Sequence, residues 1–387
     1  MNNFKFNIPT DIRFGKDQIE CLSEELSKYG SKVLLTYGGG SIKRTGLYDK
    51  VKSLLSSFEV YELSGIEPNP KLSSVREGAK ICKEKGIDVI LAVGGGSTID
   101  ASKHIACAAC YENDPWDLMM DRSKIKGALP IAVVLTICAT GSEMNSGGVI
   151  TNEETKEKLE INAPCLYPRL SICDPTYLFT LPSKQTAAGA IDIFSHVLEQ
   201  YFQPNDEAYI TDVLSEAVMK TVIKYARKAI DFPTDYEARS NLMWSSTVAL
   251  NHLLTVGKGG GWSVHPIEHV VSAFYDITHG VGLAIITPQW MRYVLLSQST
   301  VDRFVRYANE VWGINGSDKM AVANEAIDET ERFFKSLDIP MTLYDAGITD
   351  DRIHEMALES YRTNNEFKRA YVKLSVEDIE NILTMCK

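Results

Sequence analysis

Three times in its first half this chain runs through a short apolar stretch into a loop of small residues. Asp88-Val-Ile-Leu-Ala-Val93 ends in Gly94-Gly-Gly-Ser97, and a helical pattern opens at Thr98. Lys32-Val-Leu-Leu-Thr-Tyr37 ends in Gly38-Gly-Gly-Ser41, with amphipathic Ile42 to Phe58 read as the helix that follows. Ile131-Ala-Val-Val-Leu135 repeats the device and ends at Thr136-Ile-Cys-Ala-Thr-Gly-Ser142. An apolar run without alternation fits a strand covered on both faces. Strand, glycine loop and helix in succession build a parallel α/β sheet. The expectation is a Rossmann-like α/β domain with a parallel sheet at the N-terminus.

Two β-like stretches between Val149 and Ile161 flank Asn152-Glu-Glu-Thr155 and predict a hairpin, and Leu170-Ser-Ile-Cys173 is the last strand-like run. Beyond Asp174-Pro175 the pattern becomes helical, over Ser183 to Tyr201, Asp206 to Ile230, Tyr236 to Thr255 and Lys319 to Leu337. A boundary is placed at Leu181-Pro182, giving an α/β domain over 1–180 and an all-α domain over 181–387. A chain of 387 residues is long enough for two cores.

Glycines let a backbone come close to a phosphate, and the free N–H groups at a helix start attract anions. Gly94, Gly95, Gly96 and Ser97 lead to Asp100 at the carboxyl end of a strand, where open α/β sheets bind ligands. The loop is neither a Walker sequence nor G-x-G-x-x-G, and by itself a tight strand-to-helix turn explains it equally well. Gly38, Gly39 and Ser41 occupy the same place one strand earlier. Position 39 holds no acid to repel a 2′-phosphate, and Lys43 and Arg44 follow closely, which favours tolerance of NADP. Thr136, Thr140 and Ser142 put hydroxyls at a third strand end, where capping is the plain alternative. Lys158, in the hairpin, has the reach to touch a ribose or phosphate, although a lone lysine there is usually only exposed.

Three of the seven histidines, His265, His269 and His279, fall within fifteen residues. Asp192 and His196 lie four apart in a segment that reads as helix, so they share a face. A lone histidine is more often structural than a ligand, but the joint pattern in apolar and glycine-rich surroundings points to a metal site or a proton relay. A carboxylate with imidazoles and no nearby thiol suits Fe(II), Zn(II) or another divalent first-row metal. His104, His252 and His354 read as structural or surface residues.

The net charge of −11 argues against a nucleic-acid footprint. No apolar stretch reaches membrane-spanning length, and the N-terminus lacks a signal-peptide run, so a cytoplasmic protein is expected. Eight scattered cysteines do not form a disulfide framework, and Cys107-Ala-Ala-Cys110 reads as small buried helix residues.

On Tyr37-Gly-Gly-Gly-Ser-Ile-Lys43, Glu67-Pro-Asn-Pro70, Gly94-Gly-Gly-Ser-Thr-Ile-Asp100, Thr140-Gly-Ser-Glu143, Asp192-Ile-Phe-Ser-His196 and His265-Pro-Ile-Glu-His269 with His279-Gly280, the chain resembles the iron-containing (group III) alcohol dehydrogenases, in their butanol dehydrogenase branch. The resemblance implies a dehydroquinate synthase-like architecture. It implies that Asp192, His196, His265 and His279 bind one divalent metal, Fe2+ foremost and Zn2+ second. It implies that Gly38 to Ser41, Gly94 to Asp100, Thr136 to Ser142 and Lys158 hold NADP or NAD, with Asn69 near the adenine. His269 matches a position beside the nicotinamide, as a proton relay or as packing. The implied activity is reversible oxidation of small primary alcohols such as butanol, in a homodimer. A glycerol or diol dehydrogenase, a dehydroquinate synthase-like lyase and a non-catalytic nucleotide- or metal-binding module are the alternatives. The lyase needs many basic groups for an acidic substrate, and Trp262 to Gly280 carries histidines but no lysine or arginine.

Overall fold

The structure is a computed structural model and describes residues 1–205, 207–349 and 352–387. The chain folds into two compact units. One unit comprises Asn7–Leu181 with Thr234–Met243; the other comprises Met1–Phe6, Pro182–Pro233 and Trp244–Lys387.

The first unit carries β1 (Asp11–Phe14), β2 (Lys32–Tyr37), β3 (Glu59–Leu63), β4 (Val89–Gly94), β5 (Ile131–Leu135), β6 (Gly147–Asn152), β7 (Glu157–Asn162) and β8 (Leu170–Cys173). Six of them form one sheet in the order β1-β8-β5-β4-β2-β3, and every pairing is parallel. Each residue of β4 and β5 is buried, as their unbroken apolar runs require. Val33, Leu35, Val89, Leu91, Val93, Ala132 and Val134 line one face and pack with Leu22, Leu26, Val51 and Leu55 from helices and turns on that side. The opposite face meets the helix Gly96–Ala108, where Thr36 Oγ1 and Ser102 Oγ share a hydrogen bond of 2.7 Å. Each such buried Val or Leu side chain contributes roughly 1.5–3 kcal/mol.

The predicted hairpin is β6 and β7, antiparallel, with Ile150 opposite Leu159. The single helix expected over 42–58 is instead two, Ser41–Arg44 and Leu47–Leu54. They are broken at Gly46, whose φ of +78° is left-handed backbone. Strands β1 and β3 escape the sequence pattern because they are sheet edges. Their residues are exposed or half-buried apart from Leu63, so no apolar run marks them.

The second unit is helical. Ser183–Tyr201 is its central element, with every residue from Thr186 to Tyr201 buried. Tyr209–Asp231, Val264–Tyr275, His279–Leu295 and Lys319–Lys335 are further helices of this unit. The helix read from Asp206 starts at Tyr209, Asp206 itself lying outside the described residues. Tyr236–Ala249 is a helix whose first part belongs to the sheet-bearing unit. Among the described residues no helix is long and apolar enough to cross a membrane. All eight cysteines are free; Cys107 is buried, but Cys110 lies past the helix end at Ala108 and is exposed, contrary to its reading as a buried helix residue.

Candidate functional site

A helix buried all round has no use for polar side chains unless they find partners. Ser183–Tyr201 nevertheless places Asp192, His196 and Glu199 at i, i+4 and i+7, on one face. Two more helices begin at this face. Val264–Tyr275 brings His265 in its first turn, followed by Pro266 where a missing N–H leaves no gap. His279–Leu295 starts on His279 itself. Gly280 allows that start, because a Cβ there would run into the Ala188 carbonyl of the central helix.

The result is a cluster focused on one oxygen. Asp192 Oδ1 lies 3.2 Å from His196 Nδ1, 3.6 Å from His265 Nε2 and 3.7 Å from His279 Nε2. Asp192, His265 and His279 each bring a ligand atom within 4.8 Å of the others, and His196 stacks on His265 with ring centroids 4.4 Å apart. Asp192, His196 and His265 are buried, yet Asp192 Oδ1, His196 Nδ1 and His265 Nε2 have no hydrogen-bond partner. Leaving such a group unpaired costs about 1–3 kcal/mol. Orphaned, converging oxygen and nitrogen donors fit a divalent first-row cation.

The charges agree with the geometry. Burial by itself would push the Asp192 carboxyl up, but the imidazoles, His196 foremost, hold it well below the usual carboxylate range. Burial pulls His196 down to about 3, against the attraction of Asp192. His265 is raised to about 9, because the carboxylates of Asp192 and Glu199 outweigh its burial. A cation at this place therefore competes with a proton for His265.

Two residues that the sequence pattern did not single out complete the cluster. Glu199 accepts from His265 Nδ1 at 2.5 Å and from the backbone N–H groups of Ser263, Val264 and His265. Glu268 meets His279 Nδ1 with one oxygen and accepts from Ser272 Oγ with the other. Gly282 makes room for it, since a Cβ there would lie 2.7 Å from Glu268 Cγ. His269 is half-buried beside the cluster, its ring 5.5 Å from that of His279. It forms a second group with Glu268 and His279. Of the remaining histidines, His104 is buried, His252 occupies a left-handed turn and His354 is exposed against Glu380.

The candidate nucleotide residues belong to the sheet-bearing unit. Strands β2 and β4 are neighbours whose onward connections leave in opposite directions, to β3 and to β5. That is the topological switch point at which such sheets bind ligands, and both glycine loops emerge there. Gly95 precedes the helix Gly96–Ala108 with no side-chain cap, which leaves N–H groups at its start. The triplet is pressed against the loop after β5: a Cβ on Gly95 would lie 2.8 Å from Ile137, and one on Gly96 2.5 Å from Thr140 Oγ1. Gly39 has open space around it, while the Lys43 ammonium lies over the rings of Tyr37 and Tyr48. Lys158 Nζ donates to Asn69 Oδ1 at 3.2 Å, so these two are brought together, and Ser97 Oγ donates to the Pro68 carbonyl. Asp100 and Ser142 have local partners: the Asp100 carboxylate accepts from Ser142 Oγ at 2.6 Å and from Val149 N–H at 3.0 Å. Thr140 Oγ1 accepts from Ser142 N–H.

A parallel sheet with glycine loops at its switch point and a helical unit with an imidazole–carboxylate cluster define a chain of the metal-dependent dehydrogenase class. Residues 9–175 match the family described as iron-containing alcohol dehydrogenase, and residues 186–386 match the C-terminal region of the Fe-containing alcohol dehydrogenase family. The chain belongs to this family. It is 52% identical to NADH-dependent butanol dehydrogenase B of Clostridium acetobutylicum over 94% of either chain. It is 39% identical to the NADPH-dependent aldehyde reductase YqhD of Escherichia coli over 91% of either chain. The crystal structure of NADH-dependent butanol dehydrogenase A from Thermotoga maritima superposes with a TM-score of 0.95 at 41% identity, covering 100% of this chain and 99% of that one.

Proposed function

We propose that the chain is a metal-dependent, NAD(P)-linked alcohol dehydrogenase that interconverts small primary alcohols and their aldehydes, butanol and butyraldehyde among them. The observation that carries the reading is the convergence of His196, His265 and His279 on the buried, hydrogen-bond-free Asp192 Oδ1. Asp192, His196, His265 and His279 would hold one divalent cation, iron or zinc. When bound, the cation supplies Lewis acidity toward the substrate oxygen and the dinucleotide supplies or takes the hydride.

The chain's own residues do the rest. Asp192 brings the negative charge that keeps a cation in a buried place. Glu199 and Glu268 fix the rings of His265 and His279. The N–H groups that open Gly96–Ala108 receive phosphate, and Asn69 and Lys158 form a polar pair available to the nucleoside end. Gly39 offers no acid against a 2′-phosphate, so NADH and NADPH are both accepted. His269, beside His279, moves the proton of the alcohol hydroxyl toward solvent. We also propose a cytoplasmic homodimer; sizing with light scattering checks the dimer.

The test is anaerobic purification with elemental analysis, then aldehyde reduction with each dinucleotide over a C2 to C6 series. Asp192→Ala, His265→Ala and His279→Ala are expected to abolish metal retention and turnover together; full turnover by metal-free protein sinks the reading. His269→Ala is expected to keep the metal but lower turnover and alter its pH profile. An unchanged profile removes the relay role.

A further inference from the structure

We propose that Glu199 and Glu268 are positioning residues: they hold the ring proton of His265 and of His279 on Nδ1 and so commit both Nε2 atoms to one cation. The inference rests on the metal-centre reading above. A neutral imidazole carries its proton on one nitrogen, and only the other nitrogen can ligate. Which one it is depends on the hydrogen bond that the far nitrogen makes.

The same device is built twice. His265 sits in the first turn of Val264–Tyr275, with Nδ1 2.5 Å from Glu199 Oε2 and Nε2 3.6 Å from Asp192 Oδ1. His279 opens His279–Leu295, with Nδ1 on Glu268 Oε2 and Nε2 3.7 Å from Asp192 Oδ1. Both glutamates are buried, where a carboxylate persists only with donors around it. Each is given them. Glu199 takes three backbone N–H groups at a helix start that has no side-chain cap, so the ring and the main chain of His265 are fixed by one carboxylate. Glu268 uses its second oxygen for Ser272, in a space that Gly282 leaves open.

The test uses zinc as the probe ion and long-range proton–nitrogen spectra of the histidine rings in the zinc-loaded protein. Exchange-protected Nδ1–H signals are expected from His265 and His279, beside that of buried His104. Glu199→Gln should remove the His265 signal and Glu268→Gln the His279 signal. Each substitution should weaken zinc affinity by about 10–100-fold in chelator competition. Both signals surviving in both variants, with wild-type zinc affinity, overturns the inference. Should Glu199→Gln fail to fold, Glu268→Gln leaves the backbone N–H groups of that helix start on Glu199 and decides the matter. Wild-type protein that takes up no zinc overturns the metal-centre reading as well; wild-type uptake with unaffected variants overturns this inference alone.

Discussion

His104 is 1% exposed in the helix Gly96–Ala108, and its Nδ1 meets the Asp100 carbonyl at 2.7 Å. Burial lowers its pKa from 6.5 to about 4, with that carbonyl opposing. The folded value lies below the unfolded one, so as pH falls the unfolded chain takes up the proton first. The contribution of neutral His104 is full above pH 6.5 and is lost as pH falls from 6.5 to about 4, amounting to about 3 kcal/mol. Denaturant unfolding at pH 7 and pH 4.5 is expected to show a steeper loss in the wild type than in His104→Asn, which keeps a donor for the carbonyl; equal losses would refute it. Residue by residue, legibility followed rarity. Asp192, His196, His265 and His279 could be picked out because histidines are few and their spacing is unusual. Glu199 and Glu268 could not, because a glutamate in a helix reads as solvated. Only the packing reveals that these two are buried.

At the scale of elements, the helix Gly96–Ala108 is tied to the loop after β5 and to the hairpin by one buried lysine. Lys103 Nζ donates to Ser142 Oγ at 2.8 Å, to Asn145 Oδ1 at 2.8 Å and to the Gly147 carbonyl at 2.6 Å. Burial pulls its ammonium down to about 8, and the nearby Asp100 carboxylate opposes the fall. Hydrogen bonds to a charged group contribute about 1.5–3 kcal/mol each. Lys103→Met is therefore expected to lower the unfolding temperature by several degrees. It should also raise the KM for the dinucleotide more than it lowers kcat, because the helix that opens at the Gly94–Gly96 loop and the loop after β5 lose their common anchor. An unaltered dinucleotide KM in folded Lys103→Met protein would show that the anchor serves stability alone. Strands β2, β4, β5 and β8 were visible as apolar runs, and β6 with β7 as an alternating pair around a polar turn. Edge strands β1 and β3 were not, since one-sided burial leaves charges such as Asp11, Arg13, Glu59 and Glu62 in the run. The break at Gly46 was invisible because the amphipathic period continues across it.

For the whole molecule, the division into two units assigns each ligand its own footprint. Asp192, His196, His265 and His279 all belong to the helical unit, and both glycine loops belong to the sheet-bearing unit. A ligand that binds only the folded state stabilises it by about 2.7 kcal/mol at a hundredfold excess over its Kd. Where amides exchange through opening of the unit that holds the ligand, that energy slows exchange by about 100-fold. Zinc or Fe(II) added to chelator-treated protein is expected to slow amide exchange along Ser183–Tyr201, Val264–Tyr275 and the first turns of His279–Leu295. NADH or NADPH added without metal is expected to slow exchange in the loops after β2 and β4 and at the start of Gly96–Ala108. Hydrogen–deuterium exchange with peptide-level mass analysis separates the two footprints. Metal protection centred on the glycine loops, or dinucleotide protection confined to the helices that carry the histidines, would refute this assignment. The histidine variants sharpen the comparison: His279→Ala should erase the metal footprint and leave the dinucleotide footprint in place.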